Sequence, residues 1–171
     1  MIDRSSPTGP MDSTTFDHLY QTYANDVLRI SFFYLRNRQK AEDVTQDVFM
    51  KLYLSAPQLE NGKETAWLFK VALNKCRDHW RTAWIKRVTL GDKMLAIQAV
   101  EDPLIATMER EHLLNAIHQL PPAFKETVIL HYYQQLRIDQ IATILAVSPG
   151  TVSSRLSRAR VKLQRILKGM A

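Results

Sequence analysis

Apolar positions along this chain recur at three- and four-residue steps, the repeat of one helical face, and they nowhere alternate for long enough to suggest strands. Phe16, Leu19, Tyr20, Tyr23, Val27, Ile30 and Tyr34 follow that step. Thr14-x-x-Asp17 reads as a capping-box start, and the pattern predicts a helix ending near Asn37. A second helix begins about Gln39, places Ala41, Val44, Val48 and Leu52 on one face, and stops before Pro57, whose ring disfavours helix in the residue ahead of it. Pro57 to Lys63, with Asn61-Gly62, reads as a loop. A third helix is expected from about Thr65 to Arg81 or beyond, burying Leu68, Val71, Ala72 and Cys76.

From Lys86 to Glu101 the periodicity fades and Gly91-Asp92 interrupts it, which places a linker there. Asp102-Pro103 restarts a helix, with an acceptor at the cap and proline in the first turn. Leu113, Ile117 and Leu120 carry its apolar face as far as Pro121-Pro122, and Phe124, Val128 and Tyr132 share a face of the next helix with His131 beside them. Two short patterns follow, Ile138 to Leu145 and Pro149 to about Leu167, separated by Ala146-Val147-Ser148. The expected fold is all-α, two small helical domains joined by a flexible linker. Residues 1–12 read as a disordered lead-in, 13–85 as the first domain, 86–108 as the linker and 109–171 as the second domain.

Composition agrees with that reading. Of 171 residues, 46% are hydrophobic and 23% charged, enough apolar side chain to bury a core, while only five glycines and seven prolines leave little material for the turns of a many-stranded sheet. The single cysteine, Cys76, has no internal disulfide partner. No run of about 18 apolar residues occurs and no leader pattern opens the chain. A cytoplasmic protein is expected.

The net charge of +6 is unevenly spread. Residues 1–62 carry a net −2 and 88–139 a net −3, whereas 63–87 carry +5 and 140–171 carry +6 with no acidic residue at all. Two basic blocks separated by acidic ones point to two surfaces for a polyanion.

The second basic block holds the most specific motif. Ile138, Ile141, Ala142 and Leu145 form one apolar stripe and Val152, Leu156, Ala159 and Leu163 another. Two short apolar helices joined by three residues make a helix-turn-helix. Ser148 suits the cap of its second helix and Pro149 the first turn. The opposite face displays Thr151, Ser154, Arg155, Arg158, Lys162 and Arg165, hydroxyls and guanidiniums for base edges and later cations for phosphates.

Two further faces stand out. Asp43, Gln46, Asp47 and Met50 share one side of the second helix, an acidic stripe that repels DNA and suits a basic helix of a protein partner, with a solvated surface as the bland alternative. On the third helix, Trp67, Lys70, Asn74, Arg77, Arg81 and Trp84 form a continuous side with Trp80 close by. Cations alternating with flat rings suit single-stranded DNA, although at least one of the three tryptophans is expected in the core.

AEDVTQDVFMKLY (41–53), TAWLFKVALNKCRDHWR (65–81) and GTVSSRLSRAR (150–160), in that order, resemble a bacterial sigma factor of the extracytoplasmic-function group of the sigma-70 family. The resemblance spans about residues 14–168. It implies a chain that binds core RNA polymerase and directs promoter-specific transcription initiation. Asp43, Gln46, Asp47, Phe49 and Met50 would then contact the polymerase. The 57–64 loop and Trp67, Lys70, Asn74, Arg77, Arg81 and Trp84 would capture and melt the −10 element. Ser148, Thr151, Ser153, Ser154, Arg155, Arg158 and Lys162 would read the −35 element. It also implies an anti-sigma factor, often membrane-anchored, that holds the two domains closed over the polymerase- and DNA-binding faces. The chain departs from the family at Arg137, where a small hydroxyl cap is usual, at Ala146, where the turn commonly has glycine, and at Ser153, where a basic residue is frequent. Its −35 sequence therefore does not transfer from relatives.

The five histidines show no ligand spacing with each other or with Cys76, and no phosphate loop or hydrolase elbow occurs. No enzyme activity, metal, cofactor or small-molecule substrate is expected. His131 reads as a packing or capping residue, and Cys76 as a buried small residue with a redox switch as the alternative. A stand-alone helix-turn-helix regulator is the competing function; it would leave the 43–47 stripe without a task.

Overall fold

The computed structural model describes residues 10–55, 59, 62–90 and 108–169, and among these every regular element is helical. The Gly91-Asp92 break, the Asp102-Pro103 restart and most of the 57–63 loop and of the 1–12 lead-in lie outside the described residues.

Helix α1 (Ser13–Leu35) starts earlier than the Thr14-x-x-Asp17 pattern implied. Asp12 is its cap, accepting hydrogen bonds from the backbone N–H of Thr14 at 3.0 Å and of Thr15 at 3.2 Å. Hydrogen bonds from Thr15 hold the Asp12 carboxyl below its ordinary pKa. Met11 donates its N–H to the Tyr53 carbonyl at 2.8 Å, so the end of the assumed lead-in is part of the first domain. Arg36 closes α1 in the left-handed region, φ 53°. Asn37 then accepts from the Lys40 N–H at 2.9 Å and caps α2 (Arg38–Ser55).

Gly62, at φ +91°, adopts a conformation that favours glycine, and its N–H donates to the Glu64 carboxylate at 2.8 Å just ahead of α3 (Glu64–Leu90). Residues 86–90, assigned to the linker by the fading pattern, continue α3. Trp84, Ile85 and Val88 are exposed there, so the apolar repeat vanishes while nothing before Gly91 breaks the helix. The first core forms where Val27, Ile30 and Tyr34 of α1 meet Val44, Val48 and Leu52 of α2 and Leu68, Ala72 and Cys76 of α3.

The second domain begins with α4 (Met108–His118), which buries Leu114, Ala116 and Ile117 and leaves Leu113 exposed, contrary to its assignment to the apolar face. Helix α5 (Pro122–Val128) runs into a π-helical turn, Ile129–Tyr133, where the Gln134 N–H reaches the Ile129 carbonyl. The wider turn carries Tyr132 out to solvent instead of placing it with Val128. His131 Nδ1 lies 3.1 Å from the Leu136 carbonyl oxygen, a capping contact that requires the proton on Nδ1.

Helices α6 (Ile138–Leu145) and α7 (Pro149–Gly169) form the helix-turn-helix. Ala146 takes the left-handed position, φ 54°, and the Val147 N–H returns to the Ala142 carbonyl. A non-glycine residue there costs about 1 kcal/mol. At the start of α6, the Gln140 side chain accepts the Arg137 N–H at 2.9 Å, so an acceptor three residues on serves this end of the helix although Arg137 carries no hydroxyl. Val152, Leu156 and Ala159 anchor α7 in the core.

The two domains pack together. Helix α6 lies on α3, and α4 and the π turn lie on α1. The rings of Phe33 and Tyr133 meet across that junction at 4.1 Å.

Candidate nucleic-acid interface

The start of α7 is set by Ser148, whose Oγ accepts the Thr151 N–H at 3.1 Å and sits 2.9 Å from the Thr151 hydroxyl. Ser148 and Thr151 thus spend part of their hydrogen-bonding capacity on the cap. Ser153, Ser154, Arg158 and Lys162 are exposed, Arg155 is half-buried, and no acidic side chain lies on α7. Val152, Leu156 and Ala159 face the core, so the turn of the helix presents this polar side outward. Such a protruding, rigid row of hydroxyls and cations matches the width of a major groove.

Helix α3 is different. Lys70, Asn74, Arg81 and Trp84 are exposed, with Arg81 paired to Asp78 one turn back. Trp67 and Trp80 pack against the core, as expected for at least one tryptophan, while Trp84 is 54% exposed and stacks on Trp80 at 5.9 Å with the rings 9° apart. Arg77 is engaged. Its Nε and Nη2 both donate to the carboxylate of Glu126 in α5, the second at 2.8 Å, and its Nη1 donates to Asn74 at 2.8 Å. The Glu126 carboxylate holds Arg77 still more firmly charged than usual.

On α2, Asp43, Gln46, Asp47 and Met50 are all exposed, and the Asp47 carboxylate lies 3.8 Å from the Lys75 ammonium. Phe49 does not belong with them. It is 3% exposed, its ring 4.9 Å from Tyr20 and 6.2 Å from Phe16, so it fastens α2 to α1 and has no edge to offer a partner. Around Met50 the surface continues through Tyr20, Tyr53 and Leu54, all exposed. The sequence pattern missed this extension because it counted Tyr20 as core; the i, i+4 relation of Met50 and Leu54 was the available signal.

Between the domains lies a set of buried charges that no motif had indicated. Lys125 is fully buried, with Nζ 4.8 Å from the centre of the Tyr34 ring and no hydrogen-bond acceptor among the described residues. Burial pulls its pKa down to about 8. Arg36 is buried as well, and burial lowers it too. His118 is pushed down to about 4 by burial and by the neighbouring cations Lys125, Arg36 and Arg87. Cys76 is buried and its thiol is raised to about 12 by desolvation, which leaves almost no thiolate for redox chemistry. No cluster of three metal-ligating side chains occurs among the described residues, and no described helix is long and apolar enough to cross a membrane.

Closure of the domains does not cover all the faces as expected. The α2 stripe and the α7 face stay open in this closed arrangement, and Arg77 of α3 is the candidate that is taken.

Family comparisons fit this layout. The family model for sigma-70 region 2 matches residues 19–85 and that for sigma-70 region 4 matches residues 110–163. The extracytoplasmic-function sigma factor SigM of Bacillus subtilis is 31% identical over 155 residues, covering 89% of this chain and 94% of that protein. The chain belongs to the extracytoplasmic-function sigma factors. SigW of the same bacterium is 23% identical over 93% of this chain and 92% of its own length. In fold, this sigma factor is similar to RpoE of Bartonella quintana, solved in complex with the anti-sigma factor NepR, with a TM-score of 0.76, 24% identity and 91% and 98% of the two chains covered. It is also similar to CnrH, solved with the cytosolic domain of CnrY, with a TM-score of 0.71, 20% identity and 94% and 92% covered. A stand-alone regulator is the weaker reading, because the region 2 match accounts for the half of the sigma factor that such a protein would not need.

Proposed function

We propose that this sigma factor docks on core RNA polymerase through the α2 face of Asp43, Gln46, Asp47 and Met50, meets the −10 element along α3, and reads the −35 element with α7. The observation that carries this reading is that an acidic face and a capped, acid-free basic helix stand open to solvent on separate domains of one chain. The acidic face attracts a basic protein helix and repels DNA, so it sorts protein from nucleic acid by sign alone. On α3, Lys70 and Arg81 supply phosphate contacts and the Trp80–Trp84 stack offers a flat surface for an unstacked base. The chain supplies recognition, the polymerase supplies the chemistry, and both work in the cytoplasm.

Reversing Asp43 and Asp47 to lysine together tests it. Both side chains are exposed, so helical circular dichroism stays unchanged, while retention on core polymerase is lost. Unchanged co-purification with polymerase overturns the reading of α2.

An anti-sigma factor is the second partner in this reading, supported by the fold shared with RpoE and CnrH, each solved with an inhibitory or cytosolic partner chain. A cleft of about 680 Å³ between α1, α4 and the π turn, floored by Leu28, Phe33, Leu113 and Tyr133, offers apolar area to a helix laid across both domains. Pull-down from the native cell followed by competition with core polymerase decides it; simultaneous binding without antagonism removes the inhibitor from the account.

A further inference from the structure

We propose that Glu126 holds the free chain in a self-inhibited form by occupying the Arg77 guanidinium in place of promoter DNA. The inference rests on the reading of α3 as the −10 surface. A carboxylate gripping a guanidinium through two parallel N–H bonds reproduces the geometry by which arginine takes a phosphate. Glu126 forms that fork on Arg77, with Nη2 to Oε2 at 2.8 Å, and Asn74 takes the remaining edge at 2.8 Å. Three of the five Arg77 N–H groups are thereby taken, two of them by the other domain, within a row where Lys70 is exposed and Arg81 is exposed beside Asp78 of its own helix. A DNA phosphate reaching for Arg77 must displace a carboxylate that belongs to the other domain.

The surroundings of Glu126 say that this contact is made to be broken. Glu126 is 2% exposed and Lys125 beside it is fully buried, so closure strips water from both. Among the described residues Lys125 Nζ has the Tyr34 ring face and the charge of Glu126 but no hydrogen-bond acceptor, and Arg36 Nη1 has none either. An interface made permanent by packing would bury apolar side chains at these positions; buried charges without full hydrogen bonding weaken it against separation. Moving α5 and α6 off α1 and α3 rehydrates Lys125 and Glu126 and frees Arg77 in one step. The α2 face lies outside this contact and stays exposed in the closed chain.

The test uses the full chain with spin labels at Lys51→Cys on α2 and Gln164→Cys on α7, both exposed, while the buried Cys76 stays unlabelled. Interdomain distances are read alongside affinity for a short fluorescent single-stranded oligonucleotide of mixed sequence. Glu126→Gln shifts the distances to a longer, broader distribution and tightens oligonucleotide binding roughly tenfold or more. Arg77→Ala opens the chain to the same extent without that gain. The reciprocal exchange, Arg77→Glu with Glu126→Arg, returns the short distance, which guards against a Glu126→Gln chain that fails to fold. Unchanged distances in Glu126→Gln overturn the proposal, and so does opening without tighter DNA binding. Promoter opening by polymerase carrying Arg77→Ala then tells which premise failed: a loss keeps Arg77 on the −10 surface and rejects only the inhibition, whereas full activity rejects Arg77 as a DNA contact.

Discussion

Helices α3 and α7 are built on the same plan and end in different states. Each sets an apolar stripe against its own domain core and a row of cations on the other side. The α7 row leaves Ser153, Ser154, Arg158 and Lys162 exposed on a capped helix, whereas the α3 row meets the second domain, which places α6 on the helix and Glu126 on Arg77. Net charge and spacing describe both rows equally well. Which of them lies open in the closed chain is set by the domain packed alongside, which neither charge nor spacing encodes.

Removing the scaffold of the open row has the largest expected effect. Leu156 is 1% exposed on the core side of α7, and Leu156→Ala is expected to destabilise the second domain by about 2–5 kcal/mol, read by thermal unfolding, with loss of −35 binding. The first domain keeps its own core. If both domains unfold together at the lower temperature, the two rows are coupled through the interface more tightly than the contrast implies.

Acting on the row itself is milder. Arg155→Ala and Arg158→Ala are each expected to weaken binding to a −35 duplex, by about 1–3 kcal/mol for whichever makes a bidentate base contact, and to leave single-stranded −10 binding alone. Loss of neither at moderate salt means that α7 is not the reading helix.

The covered row should answer to pH where the open row does not. Lys125 is held near 8 against an ordinary 10.5, so the open chain binds more protons between those values and the closed form gains stability as pH rises through that window. His118 is held near 4 against 6.5, so the closed form loses stability as pH falls from 6.5 towards 4. Interdomain distance measured across both windows should shift towards the open form on acidification, and His118→Gln should remove the lower step. A distance distribution flat from pH 4 to 10 contradicts a closed form that dehydrates Lys125 and His118.

The smallest effect tests how α7 is aimed. Ala146→Gly relieves the left-handed strain at φ 54° and is expected to raise the stability of the second domain by about 1 kcal/mol in thermal denaturation, with −35 affinity unchanged. A change in affinity would show that the strained turn sets the angle at which α7 meets its groove.

Local chemistry made much of this readable without coordinates. The helix-turn-helix carries its own punctuation, with Ser148 and Pro149 opening α7 and three residues between two apolar stripes, and its observed bounds fall within a few residues of the pattern. The α2 stripe was likewise legible, because Asp43, Gln46, Asp47 and Met50 lie opposite Val44, Val48 and Leu52 on one helix. Those are relations between neighbours three or four residues apart, and a single chain states them directly.

What escaped depends on partners distant along the chain. Phe49 has the spacing of a helix-surface residue until Tyr20 and Phe16 of α1 close over it. The attachment of Met11 to the Tyr53 carbonyl, which brings the end of the lead-in into the first domain, joins residues 42 positions apart. No motif marks Lys125 and Glu126, and they are buried where Tyr34 and Arg77 arrive from helices some 50 to 90 residues earlier in sequence. Periodicity tells which side of a helix is apolar; only packing tells which polar side chain another domain will dehydrate, since that penalty arises from the loss of water around a charge and not from anything in its neighbours along the chain.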